Sequence, residues 1–185
     1  FLKKWLDAKI TEDLDSLIRI SLNETDYDIA KVIYRMYKYD FVCASVKTNQ
    51  WYMFKNHRWV PSDSAAELKR KISEQVVDEY SKYAAECSKK VLDSNEEEER
   101  ETLIKRGLKA NKICLKLKNE TFKNNLIKSC SQLFNDNKFI EKLDSNVQLI
   151  GFDNGVYDLD KKEFRNGLPE DFISFSTNID YREYN

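Results

Sequence analysis

Three carboxylates, Asp153, Asp158 and Asp160, fall within one short run near the end of the chain. Asp158 and Asp160 stand two apart on a candidate strand, a spacing that turns both to one side, as a metal-dependent nuclease or primase pair requires. A third acidic or histidine ligand is not identifiable. Each carboxylate also has a local task open to it: Asp153 in a turn, Asp158 on backbone amides, Asp160 in solvent. No catalytic residue and no metal ligand is assigned.

Other chemistries fail on inventory. His57 is the only histidine, and Cys43, Cys87, Cys114 and Cys130 contain no Cys-x-x-Cys pair, which removes histidine-based zinc sites and a structural zinc corner. The glycines stand at 107, 151, 155 and 167, and none opens a Gly-Lys-Ser/Thr sequence, so a phosphate-cradling loop is missing.

What the chain does offer is cations beside aromatic rings. Trp51, Tyr52, Phe54, His57, Arg58 and Trp59 form the densest such cluster. On an edge ribbon, Lys55 and Arg58 could meet phosphates while a ring stacks on a base; alternatively Trp51, Met53 and Trp59 fill a core and leave Lys55, His57 and Arg58 outside. A second set, Lys105, Lys109, Lys112 and Lys116, recurs at three- and four-residue spacing, which aligns the ammonium groups on one helix face. Such a row can track a nucleic-acid backbone with salt-sensitive affinity, or can simply be solvated.

These residues need elements to hold them. Short helices are expected over Leu2 to Ile10 and Asp13 to Leu22. A third, capped by Thr25 or Asp26, carries Ile29, Ile33 and Tyr37 at steps of four and ends near Lys38 or Tyr39. From Asp40 to Val60 the residues favour a hairpin or three-stranded meander with a polar turn at Lys55-Asn56-His57, closed by Pro61. Ser64 to Glu67 reads as a capping box opening a long helix through Leu68, Ile72, Val76, Tyr80, Cys87 and Val91, and Ser94 to Glu97 repeats that signal. The next helix has Leu103, Gly107, Ala110, Cys114 and Leu117 along one face; Gly107, Ala110 and Cys114 are small enough for a partner helix or subunit to approach closely. A helix follows through Phe122, Leu126, Cys130 and Leu133, with a short turn at Phe139 to Leu143. Beyond Val147 the pattern is extended again, with Asn154-Gly155 as a turn whose residues tolerate positive φ.

The fold class expected is therefore mainly α (α+β), a helical bundle with small β-hairpin elements, in an order compatible with a winged-helix-like unit. Residues 1–62 form the N-terminal helices and ribbon, 63–145 the bundle, and 146–185 a C-terminal ribbon and linker. At 185 residues and 41% hydrophobic content the chain can fill a core. The formal net charge is only -1, but between Arg100 and Lys142 eleven basic residues face four acidic ones, whereas nine acidic residues face four basic ones from Leu143 onward. The scattered cysteines suit free thiols in a reducing compartment, and the absence of a long apolar run suits a soluble intracellular protein with no membrane partner.

Tyr39-Asp40-Phe41, Trp51-Tyr52 with Arg58-Trp59, and Ile150-Gly151-Phe152-Asp153-Asn154-Gly155-Val156-Tyr157-Asp158 occur in a recognisable order, with Pro169 and Ser174 ahead of Asn178 to Tyr181. From about residue 28 to 181 the chain resembles the D5 N-terminal-like domain of viral superfamily 3 helicases and helicase-primases, of the poxvirus D5 and giant-virus type. The resemblance implies a noncatalytic collar or linker between an upstream primase-related region and a downstream hexameric ATPase, in a protein that translocates on DNA at a viral replication site in host cytoplasm or nucleus. It implies no cofactor for these residues, ATP and magnesium for a motor domain beyond Asn185, and primase activity as an open question for the complete protein. Two readings stand. In one the domain supports the oligomer and touches single-stranded or forked DNA through Lys55, His57, Arg58, Lys105, Lys109, Lys112 and Lys116; in the other it is a purely structural interaction domain.

Overall fold

A computed structural model describes residues 14–183. The helix expected over Leu2 to Ile10 lies outside the described residues. The architecture is mainly helical with two small antiparallel sheets, as the sequence pattern predicts. It divides into two compact units that interleave along the chain: residues 14–36 with Glu67–Leu133, and Tyr37–Ala66 with residues 134–183.

The first unit is all helix. Helix α1 covers residues 14–21 and α2 covers Asp26–Tyr37. Thr25 is the residue that caps α2: its Oγ1 accepts the Asp28 amide at 3.3 Å, and the Asp28 carboxylate accepts the Thr25 hydroxyl in return at 2.8 Å. A single helical run then passes through α3 (Ala66–Lys71), a π-helical stretch (Ile72–Val76) and α4 (Val77–Asp93). Ile72 and Val76, four apart at the two ends of the π stretch, share one face and are both fully buried. Helices α5 (Glu97–Lys118) and α6 (Glu120–Leu133) complete the unit.

The expected capping box at Ser64 is absent. Ser64 and Ala65 both have positive φ, in a 3-10 turn over Asp63–Ala65 whose start receives no side-chain cap, and the Glu67 carboxylate is engaged by Arg70 instead. At the second such signal the helix begins at Glu97; Ser94 accepts the Glu96 amide and donates to Glu99, so it organises the turn without capping α5.

Burial explains the helical unit. Ile18, Ile29, Ile33, Leu68, Ile72, Ile113, Leu117 and Leu126 are almost entirely removed from water, each worth about 1.5–3 kcal/mol relative to exposure. One polar pair sits among them: the Ser21 hydroxyl donates to the Ile18 carbonyl at 2.7 Å, which leaves Tyr80 to donate to the Ser21 Oγ at 2.5 Å. Burial pushes the Tyr80 phenol well above its ordinary range. Helices α4 and α5 pack as an antiparallel hairpin. Gly107 sits against Cys87 and the Ala84 carbonyl, and Cys114 against Ser81 and the Val77 carbonyl.

The second unit holds both sheets. Strands β1 (Phe41–Ser45), β2 (Gln50–Lys55) and β3 (Arg58–Ser62) form the expected meander, joined between β2 and β3 by Asn56 and His57, both at positive φ, as a two-residue hairpin demands. Pro61 pairs opposite Tyr52 within β3, an edge strand of this sheet, where a missing amide is tolerated. Residues after α6 return to β1: the Cys43 amide donates to Phe134 O at 2.9 Å and Asp136 N to Cys43 O at 3.1 Å. Helix α7 (Phe139–Lys142) then sets Phe139 among Trp59, Tyr52 and Phe172, with ring centroids 5.1 to 6.1 Å apart.

Strands β4 (Leu149–Phe152), β5 (Gly155–Asp158) and β6 (Glu163–Arg165) make the second sheet. The turn between β4 and β5 is Asp153-Asn154, neither at positive φ, so Asn154 is not there for its backbone freedom. Its side-chain amide exchanges two hydrogen bonds with the Tyr181 backbone, at 2.9 and 3.2 Å. The last segment runs along β4, with Thr177 N donating to Gly151 O and Asp153 N to Ile179 O. A side chain at Gly151 would collide with the Phe175 carbonyl, which is why a glycine stands there. Tyr181 ends this segment stacked on Phe164 at 4.5 Å and flanked by Phe152 and Tyr157.

Candidate nucleic-acid interface

Asp153 and Asp158 are occupied locally, and Asp160 is exposed. Asp158 is buried and accepts the amides of Asp160 and Lys161, each at 3.1 Å. Asp153 accepts from Ser176 at 2.7 Å and from Arg58 at 3.4 Å. Among the described residues no group of three or more His, Cys, Asp and Glu is placed to hold a metal ion. Gly151 and Gly167 each admit a close backbone neighbour, the Phe175 carbonyl and His57 respectively, and Gly107 lies inside a helix contact.

The lysine row on α5 is real as geometry. Lys105, Lys109 and Lys112 are exposed, and Lys116 is half-buried. Lys105 pairs with Glu101 at 3.2 Å across one helical turn. Lys112 and Lys116 converge on Glu24, at 3.0 and 2.7 Å, and Lys116 also lies 5.7 Å from the Phe122 ring centroid. Hydrogen bonds from Lys116 and then Lys112 hold the Glu24 carboxyl below its ordinary range. Among the described residues Lys109 has no ion-pair partner. The row thus grades from two lysines tethered to a loop carboxylate to Lys109 and Lys105 facing solvent. Glu24 is the residue that sequence reasoning missed, and nothing local to it signals a partner some ninety positions away.

In the other unit, Lys55 is exposed at the end of β2 directly opposite Arg58. Arg58 is half-buried and engaged by Asp153, and the His57 Nδ1 accepts the Gly167 amide at 3.2 Å, which requires that nitrogen to be unprotonated. Trp51 and Trp59 are buried, their indole N–H groups donating to Asn49 Oδ1 and Pro169 O. The open ring here is Tyr39, 66% exposed, with the Lys38 ammonium 4.8 Å from its centroid. Asp40 O accepts the Phe54 amide at 2.8 Å, which places Tyr39 beside the Lys55 end of the ribbon. Lys38, Tyr39 and Lys55 therefore supply the cation and ring combination that Trp51 and Trp59 do not.

Behind this ribbon, Arg165 donates both ends of its guanidinium to Asp171, each at 2.7 Å, and Asp171 also accepts the Leu168 amide. Burial alone would push the Asp171 carboxyl up, but Arg165 and the Leu168 amide outweigh it and hold it below the usual range. The pair fixes the loop from which Gly167 and Pro169 reach His57 and Trp59.

Another face of α5 points inward: Gly107, Ala110 and Cys114 are buried, Gly107 and Cys114 against α4, so that face is covered within the chain.

Residues 30–184 match the family model described as D5 N terminal like. The chain belongs to the D5 N-terminal-like family. Its relatives include "Putative helicase L207/L206" of Acanthamoeba polyphaga mimivirus, 39% identical over 170 residues, which cover 92% of this chain and 18% of the relative. "Putative helicase 022R" of Frog virus 3 is 26% identical, covering 96% of the chain and 20% of the relative. "Putative helicase 121R" of Invertebrate iridescent virus 3 is 26% identical over 91% of the chain and 20% of its own length. The chain spans about a fifth of the length of these relatives. The run from Ile150 to Asp158 serves in this D5 N-terminal-like domain as scaffold: Gly151, Asp153 and Asn154 bind the final segment, and Asp158 closes the turn after β5. Among the described residues no helix is long and apolar enough to cross a membrane.

Proposed function

We propose that this domain is a noncatalytic collar or linker of a viral replicative DNA helicase of superfamily 3, contacting DNA while a separate motor domain in the oligomer binds NTP and magnesium. The family match over residues 30–184, with relatives whose names include helicase and which are about five times longer, is the observation that carries this reading. Lys105 and Lys109 on α5, Lys38 and Tyr39 in the turn before β1, and Lys55 at the end of β2 are the groups assigned to a single-stranded or forked backbone in this reading, supported by their exposure. Lys112, Lys116, His57 and Arg58 take a lesser part because each is engaged within its own unit.

The test is fluorescence anisotropy of forked DNA with the intact chain and with Lys105→Glu/Lys109→Glu. The reading expects at least tenfold weaker binding by the variant at low salt, with an unchanged thermal melt. Equal affinity would remove α5 from the DNA contact. The purely structural reading is favoured by Glu24, which engages two of the four lysines in the row; it expects no saturable binding by either protein.

A further inference from the structure

Helix α5 has a second apolar row that its packing on α4 leaves uncovered. Ile104, Leu108 and Leu115 are 50%, 65% and 73% exposed, and with Asn111 they follow steps of four, three and four, so they lie in one line along the helix. On α4 the matching line is Ser81, Ala85, Ser88 and Leu92, all exposed, with Leu92 83% open to solvent. The contacts of Cys114 with Ser81 and of Gly107 with Cys87 fix the antiparallel register, which sets Leu115 beside Ser81, Leu108 beside Ser88 and Ile104 beside Leu92. The Ser88 hydroxyl donates to Ala84 O, and the Ser81 hydroxyl pairs with Cys114 Sγ. Their polar atoms are thereby satisfied within the hairpin, and the α4 row presents a shallow, nearly apolar trough beside a ridge of large aliphatic side chains. Exposed aliphatic groups aligned in this way mark an interface, and a single Asn within such a row is the device that fixes register between packed helices.

The flanks identify the occupant. Along the outer edge of the α5 row stand Lys105, Lys109, Lys112 and Lys116, offset by only Glu101 and Glu24. The outer edge of α4 carries Glu79, Lys82, Glu86, Lys89 and Asp93, of which Glu79 and Lys82 pair with each other, so its signs alternate and nearly cancel. A second copy of this chain would bring either its own lysine edge or that mixed edge, and neither matches the unbroken run of α5 lysines. We infer that the α4–α5 face receives an amphipathic helix from another protein or domain, about three to four turns long, whose apolar stripe fills the trough and whose α5-facing border is acidic. The inference does not depend on DNA binding.

The test uses the intact 185-residue chain and three fluorescein-labelled 21-residue peptides: a helix with leucine at heptad core positions and glutamate on both borders, its counterpart with lysine borders, and a scramble of the first. Saturable binding of the glutamate peptide alone, weakened at least tenfold by Leu108→Ser/Leu115→Ser and by Ala85→Trp, is the expected result. All three substituted positions are exposed, and an unchanged melt confirms that the variants remain folded. Unaltered DNA affinity in the serine variant separates this face from the DNA contact. No binding, or equal binding of the lysine-bordered peptide, would overturn the inference. Sedimentation that shows a concentration-dependent dimer broken by the same serine pair would overturn it in favour of a second copy.

Discussion

The ribbon tip and the α5 row carry the same side-chain chemistry and put it to opposite uses. At the tip, Arg58 and His57 are drawn into the packing of their unit by Asp153 and Gly167, and both tryptophans of the cluster are buried. On α5, by contrast, Lys105 and Lys109 project from a helix whose buried face already supplies its stability. A dense cation and aromatic cluster in a sequence is therefore a poor guide to an accessible one. Accessibility follows from whether the backbone beneath the cation is held by other residues. Helix α5 is held by Leu103, Ala110, Ile113 and Leu117; the ribbon is held partly by the cluster itself.

The strongest way to break this contrast is to remove the support behind the tip. Arg165→Met leaves the buried Asp171 carboxylate without its bidentate partner and is expected to cost about 3 kcal/mol in urea unfolding, the lower end for a buried pair because Arg165 is partly open to solvent. Acid should act in the same direction. The Asp171 carboxyl is depressed in the folded state, so its contribution is complete above the unfolded carboxylate pKa and is lost as pH falls through the folded value. The intact chain should lose stability on acidification more steeply than Asp171→Asn; identical acid profiles would show that the pair contributes nothing.

Charge reversal at Lys105 and Lys109 is the converse experiment, with at least a tenfold loss of DNA affinity, about 1.4 kcal/mol, and no change in the melt. Smaller again is Gly107→Ala. The added methyl would meet Cys87 Cβ at 3.6 Å, an ordinary contact, so the gain in helix propensity should dominate and raise stability by about 0.5–1 kcal/mol. A drop in the melting temperature would mean that the α4–α5 contact has no slack. Least of all, Arg58→Ala should cost no more than about 0.5 kcal/mol, since its pair with Asp153 is long and partly exposed; a larger loss would show that Arg58 is a packing residue after all.

Much of the fold was legible because period reports burial. Ile29, Ile33 and Tyr37, and then Leu68, Ile72, Val76 and Tyr80, recur at helical spacing and are buried. The β2–β3 meander declared itself through strand-forming residues around Asn56-His57. What sequence could not give was long-range pairing. The division into interleaved units depends on the return of Phe134 and Asp136 to Cys43 and of Ile173 to Trp59, and no local pattern encodes those bonds. Ser64 misled because a capping motif matters only if its backbone enters the helix in an extended conformation, and positive φ at Ser64 and Ala65 prevents that. Asn154 next to Gly155 has the composition of a positive-φ turn, but it is the Asn154 side chain that acts, by bonding the Tyr181 backbone. The second apolar row of α5 was present in the sequence, at Ile104, Leu108 and Leu115, but a helix apolar on two sides hides both stripes from a search for one.

The most direct test of the account is the salt dependence of DNA binding by the intact chain, measured by anisotropy on single-stranded, duplex and forked oligonucleotides. A few lysine–phosphate contacts predict saturable binding to single-stranded or forked DNA, with the logarithm of affinity falling against the logarithm of salt at a slope of about -2. No binding at low salt, or binding indifferent to salt, would contradict it and leave the domain a structural spacer.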